Sequence, residues 1–385
     1  MHPIQKYANI DINNNLYLFF MTQKELLDNI LIYISEKNYS DIHINTNSRV
    51  KIRNNSGDIS DLEEININWT KTILPILNQE TVISIITIIA GKRWIEKFEE
   101  ELELDTSYSI ESWDRYRVNC YMDTGWYSIA MRRIPSKIPT LDELWLWDQI
   151  KAMCNKNKWL VLVTWPTWSG KSTNLAAMID YINTNHKKHI ITIEDPVEFT
   201  FKSKQSLINQ RELWSHTKWF NEAIRASLRE DPDVIMIWEM RDPETIKAAI
   251  TLAETGHLVF STLHTNDSVQ TIDRIVDVFP GSQQKQIRMQ LAMSLVWVVS
   301  QRLVTRSDKE WRIAAREIMI SNDAIRNLII TGKTHQLYSV LEVGQKQWMI
   351  LMDKYLLALY IKQIISKETL ISYVRDKDWI EMMID

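Results

Sequence analysis

The chain has 385 residues, 45% of them hydrophobic and 24% charged, with a formal net charge of −4. That length accommodates two separately buried cores, and the charge gives no general attraction to nucleic acid or to an anionic membrane. Two cysteines, Cys120 and Cys154, make neither a disulfide framework nor a four-ligand zinc site, and they fit a reducing cytoplasm. No run approaches the ~18 apolar residues of a membrane span, and the N-terminus lacks the pattern of a signal peptide. No nucleic-acid partner and no direct membrane span are therefore expected.

One feature of the composition is unusual. Glycine ordinarily supplies about 7% of residues, whereas this chain holds 8 Gly and 16 Trp among its 385 residues. Were every Trp a Gly, the glycine content would be ordinary.

Residues 1–21 are Asn-rich with little periodicity and read as a tail. Residues 22–135 read as an N-terminal α/β domain. Thr22 and Glu25 have capping-box spacing, and Leu26, Leu27, Ile30, Leu31 and Ile34 recur on one helical face. Ser40–Ile44 and Arg49–Arg53 alternate like strands, with a turn beyond them. A second helical run is expected over Thr81–Glu103, followed by strands at Arg115–Tyr121 and Tyr127–Ile134. Two prolines in Ile134–Leu144 place a linker, given as 136–148. Beyond it, residues 149–385 change rhythm. Apolar runs at Trp159–Thr164, His189–Glu194, Asp233–Trp238 and His257–Thr262 alternate with helical segments, the pattern of a parallel sheet with helices on both faces. From about Ser282 onward the chain reads as mostly helical.

The segment LVLVTWPTWSGKST carries the most chemistry. A buried strand ends at Thr164, and a helix is expected to open near Lys171. Between them, Trp165, Pro166, Thr167, Trp168, Ser169 and Gly170, with Lys171, Ser172 and Thr173, fit G-x-x-x-x-G-K-[ST] except that Trp165 stands at the first glycine. In such a loop backbone N–H groups and the helix N-terminus surround phosphates. Lys171 would reach the β- and γ-phosphates, and the Ser172 hydroxyl would bind Mg2+. Trp165 and Trp168 conflict with that geometry, because a bulky residue fits neither positive φ nor close backbone approach to a ligand. Either the site is dead or these positions are glycine, encoded by UGA codons decoded as Gly. The second reading accounts for the whole composition; Trp126, Trp159 and Trp238 also stand where glycine is expected.

Three carboxylates, Glu194, Asp195 and Glu198, end the ITIEDPVEF segment, and Glu239 ends DVIMIWEMRD. A carboxylate at the carboxyl end of a core strand can hold Mg2+ or orient an attacking water; it can equally cap the following helix. His257 and His264 bracket the last of these strands.

LVTWPTWSGKST, ITIEDPVEF, LINQRE, ASLREDPDVIMIWEMRD, AETGHLVFSTLHT and TIDRIVDVFP resemble the Walker A, Asp-box, Walker B and His-box segments of the secretion ATPase superfamily. Within it the chain most resembles the type IV pilus retraction ATPases; AIRNLI (Ala324–Ile329) resembles their C-terminal motif, and SDIHI and RYRVN resemble segments of their N-terminal domain. The resemblance runs from about Thr22 to Met352. It implies a P-loop, RecA-like core preceded by a smaller PAS-like α/β domain and followed by a helical C-terminal region. It also implies ATP and Mg2+ as cofactors, and a homo-oligomeric, hexameric ring in the cytoplasm that acts on an inner-membrane pilus platform protein. By position, Lys171, Ser172 and Thr173 would bind phosphates and Mg2+, with Glu239 the catalytic carboxylate and a metal-site group. Glu194 and Glu198 would support metal or water. His257 and His264 would form the phosphate-sensing shell, and Arg115, Arg117 and Arg132 would reach a neighbouring subunit's nucleotide. Pilus extension or type II secretion is the alternative within the superfamily, although this chain lacks the four-cysteine zinc insert often found there. A non-hydrolysing assembly subunit is the alternative if the loop tryptophans are real.

Overall fold

The computed structural model describes residues 21–54, 58–67, 70–110, 114–134, 137–144, 148–164, 171–213, 216–307 and 312–384, without the side chains of 92–94, 97, 148 and 171. The chain divides into two compact units, Met1–Lys137 and Ile138–Asp385.

The first unit opens with helix α1 (Gln23–Lys37). Its start is fixed by the capping box: Thr22 Oγ1 accepts from the Glu25 N–H at 3.2 Å, and the Glu25 carboxylate accepts from the Thr22 N–H at 2.8 Å. Leu26, Leu27, Ile30, Leu31 and Ile34 form its buried face. Strands β1 (Asp41–Asn45), β2 (Lys51–Arg53) and β3 (Ile59–Asp61) follow, then a separate antiparallel pair, β4 (Glu64–Ile67) and β5 (Thr70–Ile73). The helical run expected over 81–103 is two helices, α2 (Gln79–Ala90) and α3 (Lys92–Glu101), parted at Gly91 with φ +71°. Strands β6 (Glu103–Ser109), β7 (Arg115–Asp123) and β8 (Trp126–Ile134) complete an antiparallel sheet ordered β3-β2-β1-β8-β7-β6 among the described residues. Tyr116, fully buried on the inner face of β7, donates its hydroxyl to the Leu31 carbonyl at 2.6 Å and so ties α1 to the sheet.

The second unit begins with α4 (Asp148–Cys154), β9 (Trp159–Thr164), α5 (Lys171–Asn185), β10 (His189–Glu194) and β11 (Leu207–Glu212). It continues through α6 (Phe220–Ser227), β12 (Val234–Ile237), α7 (Pro243–Glu254), β13 (Leu258–Leu263), α8 (Ser268–Asp277) and α9 (Gly281–Ser294). The sheet order is β11-β10-β12-β13-β9, all parallel. Alternate residues of one strand enter opposite cores: Leu160 and Leu162 pack on one face, Val161 and Val163 on the other. The two-sided burial explains why these strands read as unbroken apolar runs.

The mostly helical expectation beyond Ser282 needs one correction. Strands β14 (Leu295–Thr305) and β15 (Arg312–Ile320) extend the sheet, β14 parallel to β9 and β15 antiparallel to β14. The apolar stretch Trp297–Val299 is buried on both faces of the sheet, so it shows no period-2 signal. Helices α10 (Asp323–Thr331), α11 (Leu337–Val343), α12 (Met352–Ile361), α13 (Lys367–Tyr373) and α14 (Lys377–Ile384) then close the chain.

Candidate nucleotide site

Parallel pairing brings Thr164, Glu194, Ile237 and Leu263, the last residues of β9, β10, β12 and β13, to one edge of the sheet. Ligands bind open α/β sheets outside the carboxyl ends of their strands, and the phosphate-loop sequence leaves from this edge. Residues Trp165, Pro166, Thr167, Trp168, Ser169 and Gly170 lie outside the described residues. Helix α5 starts at Lys171, as its sequence predicts. Ser172 and Thr173 in its first turn are half-buried, and the unpaired N–H groups of such a turn favour an anion.

The strand behind the loop is anchored by hydroxyls. Thr164 and Ser300 are hydrogen-bonded through their side chains at 2.8 Å, and both are fully buried. In α5, Asn174 donates to Gln301 Oε1 at 2.7 Å, and that oxygen also accepts from Arg316 Nε at 2.9 Å. Arg316 is buried, and its Nη2 reaches the Leu144 carbonyl at 3.0 Å. This chain of bonds fixes α5 against β14 and β15, strands the sequence reading had not found.

Glu239 follows β12, with its side chain 11% exposed. Arg241 Nη2 lies 2.7 Å and His264 Nε2 3.3 Å from Glu239 Oε2. The backbone under this carboxylate is held from both sides. The Trp238 N–H donates to the Ile193 carbonyl at 2.9 Å, the Met240 N–H donates to the Thr262 carbonyl at 3.1 Å, and the Thr262 hydroxyl donates to the Trp238 carbonyl. Glu239 is thereby a carboxylate held by its backbone and paired with the exposed guanidinium of Arg241.

Glu194 is different. It is 2% exposed, and burial pushes its carboxyl up to about 7. Opposing that rise are the Thr192 hydroxyl at 2.6 Å, Gln210 Nε2 at 3.1 Å and the Glu198 N–H at 3.4 Å, while the Glu198 charge adds to it. A carboxyl that titrates near neutrality at the carboxyl edge of the sheet can accept or release a proton.

The structure sets His264 against Glu239 and the Glu198 N–H against Glu194 at the carboxyl edge of the sheet, the edge at which β9 ends before Ser172 and Thr173. It does not bring His257 to this edge. His257 precedes β13, and its carbonyl accepts from the N–H of Trp159 at the opposite end of β9. Its Nδ1 lies 3.0 Å from the Leu252 carbonyl at the end of α7. The whole length of β13, on the order of 20 Å at 3.3 Å per residue, separates it from His264. A strand with a histidine at each end cannot present both at one edge.

In the first unit, Arg115 and Arg117 lie on the same face of β7, and Arg132 of β8 is the cross-strand partner of Arg117. Tyr116, Val118 and Cys120 alternate to the buried face. Arg132 Nε pairs with Asp41 at 2.6 Å while its side chain remains 46% exposed. Arg115 Nη2 donates to Ser107 at 2.6 Å, and Arg117 is exposed.

Sequence reasoning had not assigned Thr192, Gln210 or Arg241. Gln210 and Arg241 lie inside the LINQRE and WEMRD segments, so a signal existed; Thr192 depended on knowing that its hydroxyl faces Glu194.

A parallel core sheet, a helix opening at Lys171 and carboxylates at the strand ends define an ATPase of the P-loop class. The family described as T2SSE, Type II/IV secretion system protein, matches residues 129–352. The type IV pilus retraction ATPase PilT of Pseudomonas aeruginosa is 43% identical over 339 residues, 88% of this chain and 95% of that protein. A twitching motility protein of Neisseria gonorrhoeae is 46% identical over 295 residues, 77% of this chain and 79% of that one. A crystal structure of the pilus retraction motor PilT with bound ADP superposes with a TM-score of 0.84 at 39% identity, covering 93% of this chain and 99% of that chain. The chain belongs to the PilT family of type IV pilus retraction ATPases.

Proposed function

We propose that this chain is the ATP-driven motor of type IV pilus retraction and powers twitching motility as a homo-hexameric ring. In this reading it works in the cytoplasm, peripheral to the inner membrane, through a pilus platform protein. No helix among the described residues is long and apolar enough to cross a membrane, which accords with attachment through a partner. The observation that carries the proposal is the 43% identity to a retraction ATPase along 95% of that protein, with Glu239 held at the carboxyl edge of the sheet.

The residues present fit ATP and Mg2+. The opening turn of α5 offers N–H groups to phosphates, and Ser172 and Glu239 supply the oxygen donors that Mg2+ prefers. Among the described residues no cluster of three or more His, Cys, Asp or Glu forms a protein cage for a metal, so the ion would share its ligands with the nucleotide phosphates. When bound, Mg2+ neutralises charge developing on the transferred phosphoryl group.

Lys171, Ser172 and Thr173 bind the phosphates, together with the loop 165–170. Glu239 orients the attacking water, and Glu194 with Glu198 holds or relays its proton. His264, against Glu239, responds to the γ-phosphate. Arg115, Arg117 and Arg132 serve the nucleotide of an adjacent subunit, where fixed positive charge lowers the barrier.

Steady-state ATP turnover by the assembled protein tests this reading. Lys171→Ala should abolish nucleotide binding or hydrolysis; turnover at the parent rate would remove the site. Glu239→Gln should retain ATP binding and lower kcat by at least about 100-fold. A variant as fast as the parent would assign the catalytic carboxylate elsewhere. Restoration of twitching in a strain lacking its retraction motor would separate retraction from pilus extension.

A further inference from the structure

The backbone at three tryptophans lies where tryptophan is poorly accommodated. Trp126, Trp159 and Trp348 have φ of +84°, +118° and +70°. A bulky side chain clashes with its own backbone in that region, and glycine does not. The other non-glycine residues with positive φ among the described residues are Asn38, Asn47 and Asp231, whose short polar side chains are the usual exceptions, and Leu102 and Gln363, which lie just past helix C-termini. A large aromatic has no such compensation.

Two of these positions also have the structural role of a glycine. Trp126 follows the Thr124-Gly125 turn that joins β7 to β8, where the Gly125 N–H donates to Asp123 Oδ1 at 2.6 Å. A left-handed residue directly after a two-residue hairpin turn is a place where glycine is favoured. Trp348 is the left-handed cap of the short 3-10 turn Gly344–Gln347, and its N–H bonds to the Gln345 and Gly344 carbonyls; glycine is the usual residue at such a cap. The indoles gain little in return, with Trp126 55% and Trp348 56% exposed.

Trp297 adds an independent observation. It sits at the register shift where β14 bulges against β9, with its Nε1 buried and without an acceptor among the described residues. A buried unsatisfied donor is costly, and a bulge in a strand interior is another place where glycine is common.

We infer that the positions printed as tryptophan are glycine in the functional protein, encoded by UGA codons that the natural source reads as glycine. The backbone conformations carry this inference, which does not depend on the proposed activity. Extended along the chain, it converts the loop from Trp-x-x-Trp-x-Gly-Lys-Ser to Gly-x-x-Gly-x-Gly-Lys-Ser at positions 165–172. The conformations at 126, 159 and 348 and the glycines of the phosphate loop thus have one common cause.

The test has two stages, and neither reads ATP turnover. The codons under Trp126, Trp159, Trp165, Trp168, Trp297 and Trp348 are sequenced in the natural gene; UGA is expected at each, and UGG overturns the inference. Peptide masses of the protein isolated from its natural source are then mapped across the same positions. Glycine masses are expected at all of them. Tryptophan masses would overturn the inference whether or not the protein hydrolyses ATP.

Discussion

At the residue scale, the most informative side chain is Glu194. Burial raises its carboxyl from the ordinary range to about 7, so the folded protein retains a proton that the unfolded chain releases near pH 4.5. Between those values the unfolded state binds fewer protons, and stability falls as pH rises, levelling off above about 7. The effect is bounded at about 3 kcal/mol. Glu194→Gln cannot ionise and keeps an oxygen acceptor for the Glu198 N–H, so it should remove this dependence. Urea-unfolding midpoints at pH 5 and pH 8 should differ less in the variant than in the parent, and equal slopes would place the titration on another group. Glu194 was legible in the sequence as a strand-end carboxylate. Its neutral character was not, because that depends on the walls closing over it.

At the element scale, local signals read well wherever a cap or a period acts alone. Thr22 and Glu25 fixed the start of α1, and Lys171 the start of α5. Burial on both faces hid β14 from the same reasoning. The order of the core elements then rests on a second buried carboxylate, which no motif announced. Glu317 of β15 is 1% exposed and accepts from the Ser268 N–H at 2.9 Å and from the Met352 N–H at 3.3 Å. It therefore joins the N-termini of α8 and α12, where a negative charge is favoured. Glu317→Ala should leave both donors buried and unpaired and cost about 2–4 kcal/mol. Thermal and denaturant unfolding of the variant checks this; an unchanged midpoint would mean that water or a neighbouring acceptor replaces the carboxylate.

At the scale of the whole molecule, the candidate catalytic groups are divided between the two compact units. The carboxylates, His264 and the start of α5 lie in Ile138–Asp385, and the three arginines lie in Met1–Lys137. The second unit has its own extensive hydrophobic clusters, so a fragment of residues 138–385 should fold. It should bind ATP with an affinity near that of the full chain yet turn it over about 1,000-fold more slowly, because the proposed transition-state arginines are missing. Calorimetric binding and steady-state turnover on the fragment check this together, and full turnover would withdraw the arginine role. By itself, the sequence determined the helix opening at Lys171, the strand-end carboxylates and the buried parallel strands, because each is written in a contiguous stretch whose local chemistry forces it. Only the tertiary structure separated His264 from His257, set Arg241 against Glu239 and Gln210 against Glu194, and put Arg117 opposite Arg132. Those arrangements depend on strand register and on which side chains turn toward one another once the sheet is assembled, and the apolar pattern of a single strand specifies neither.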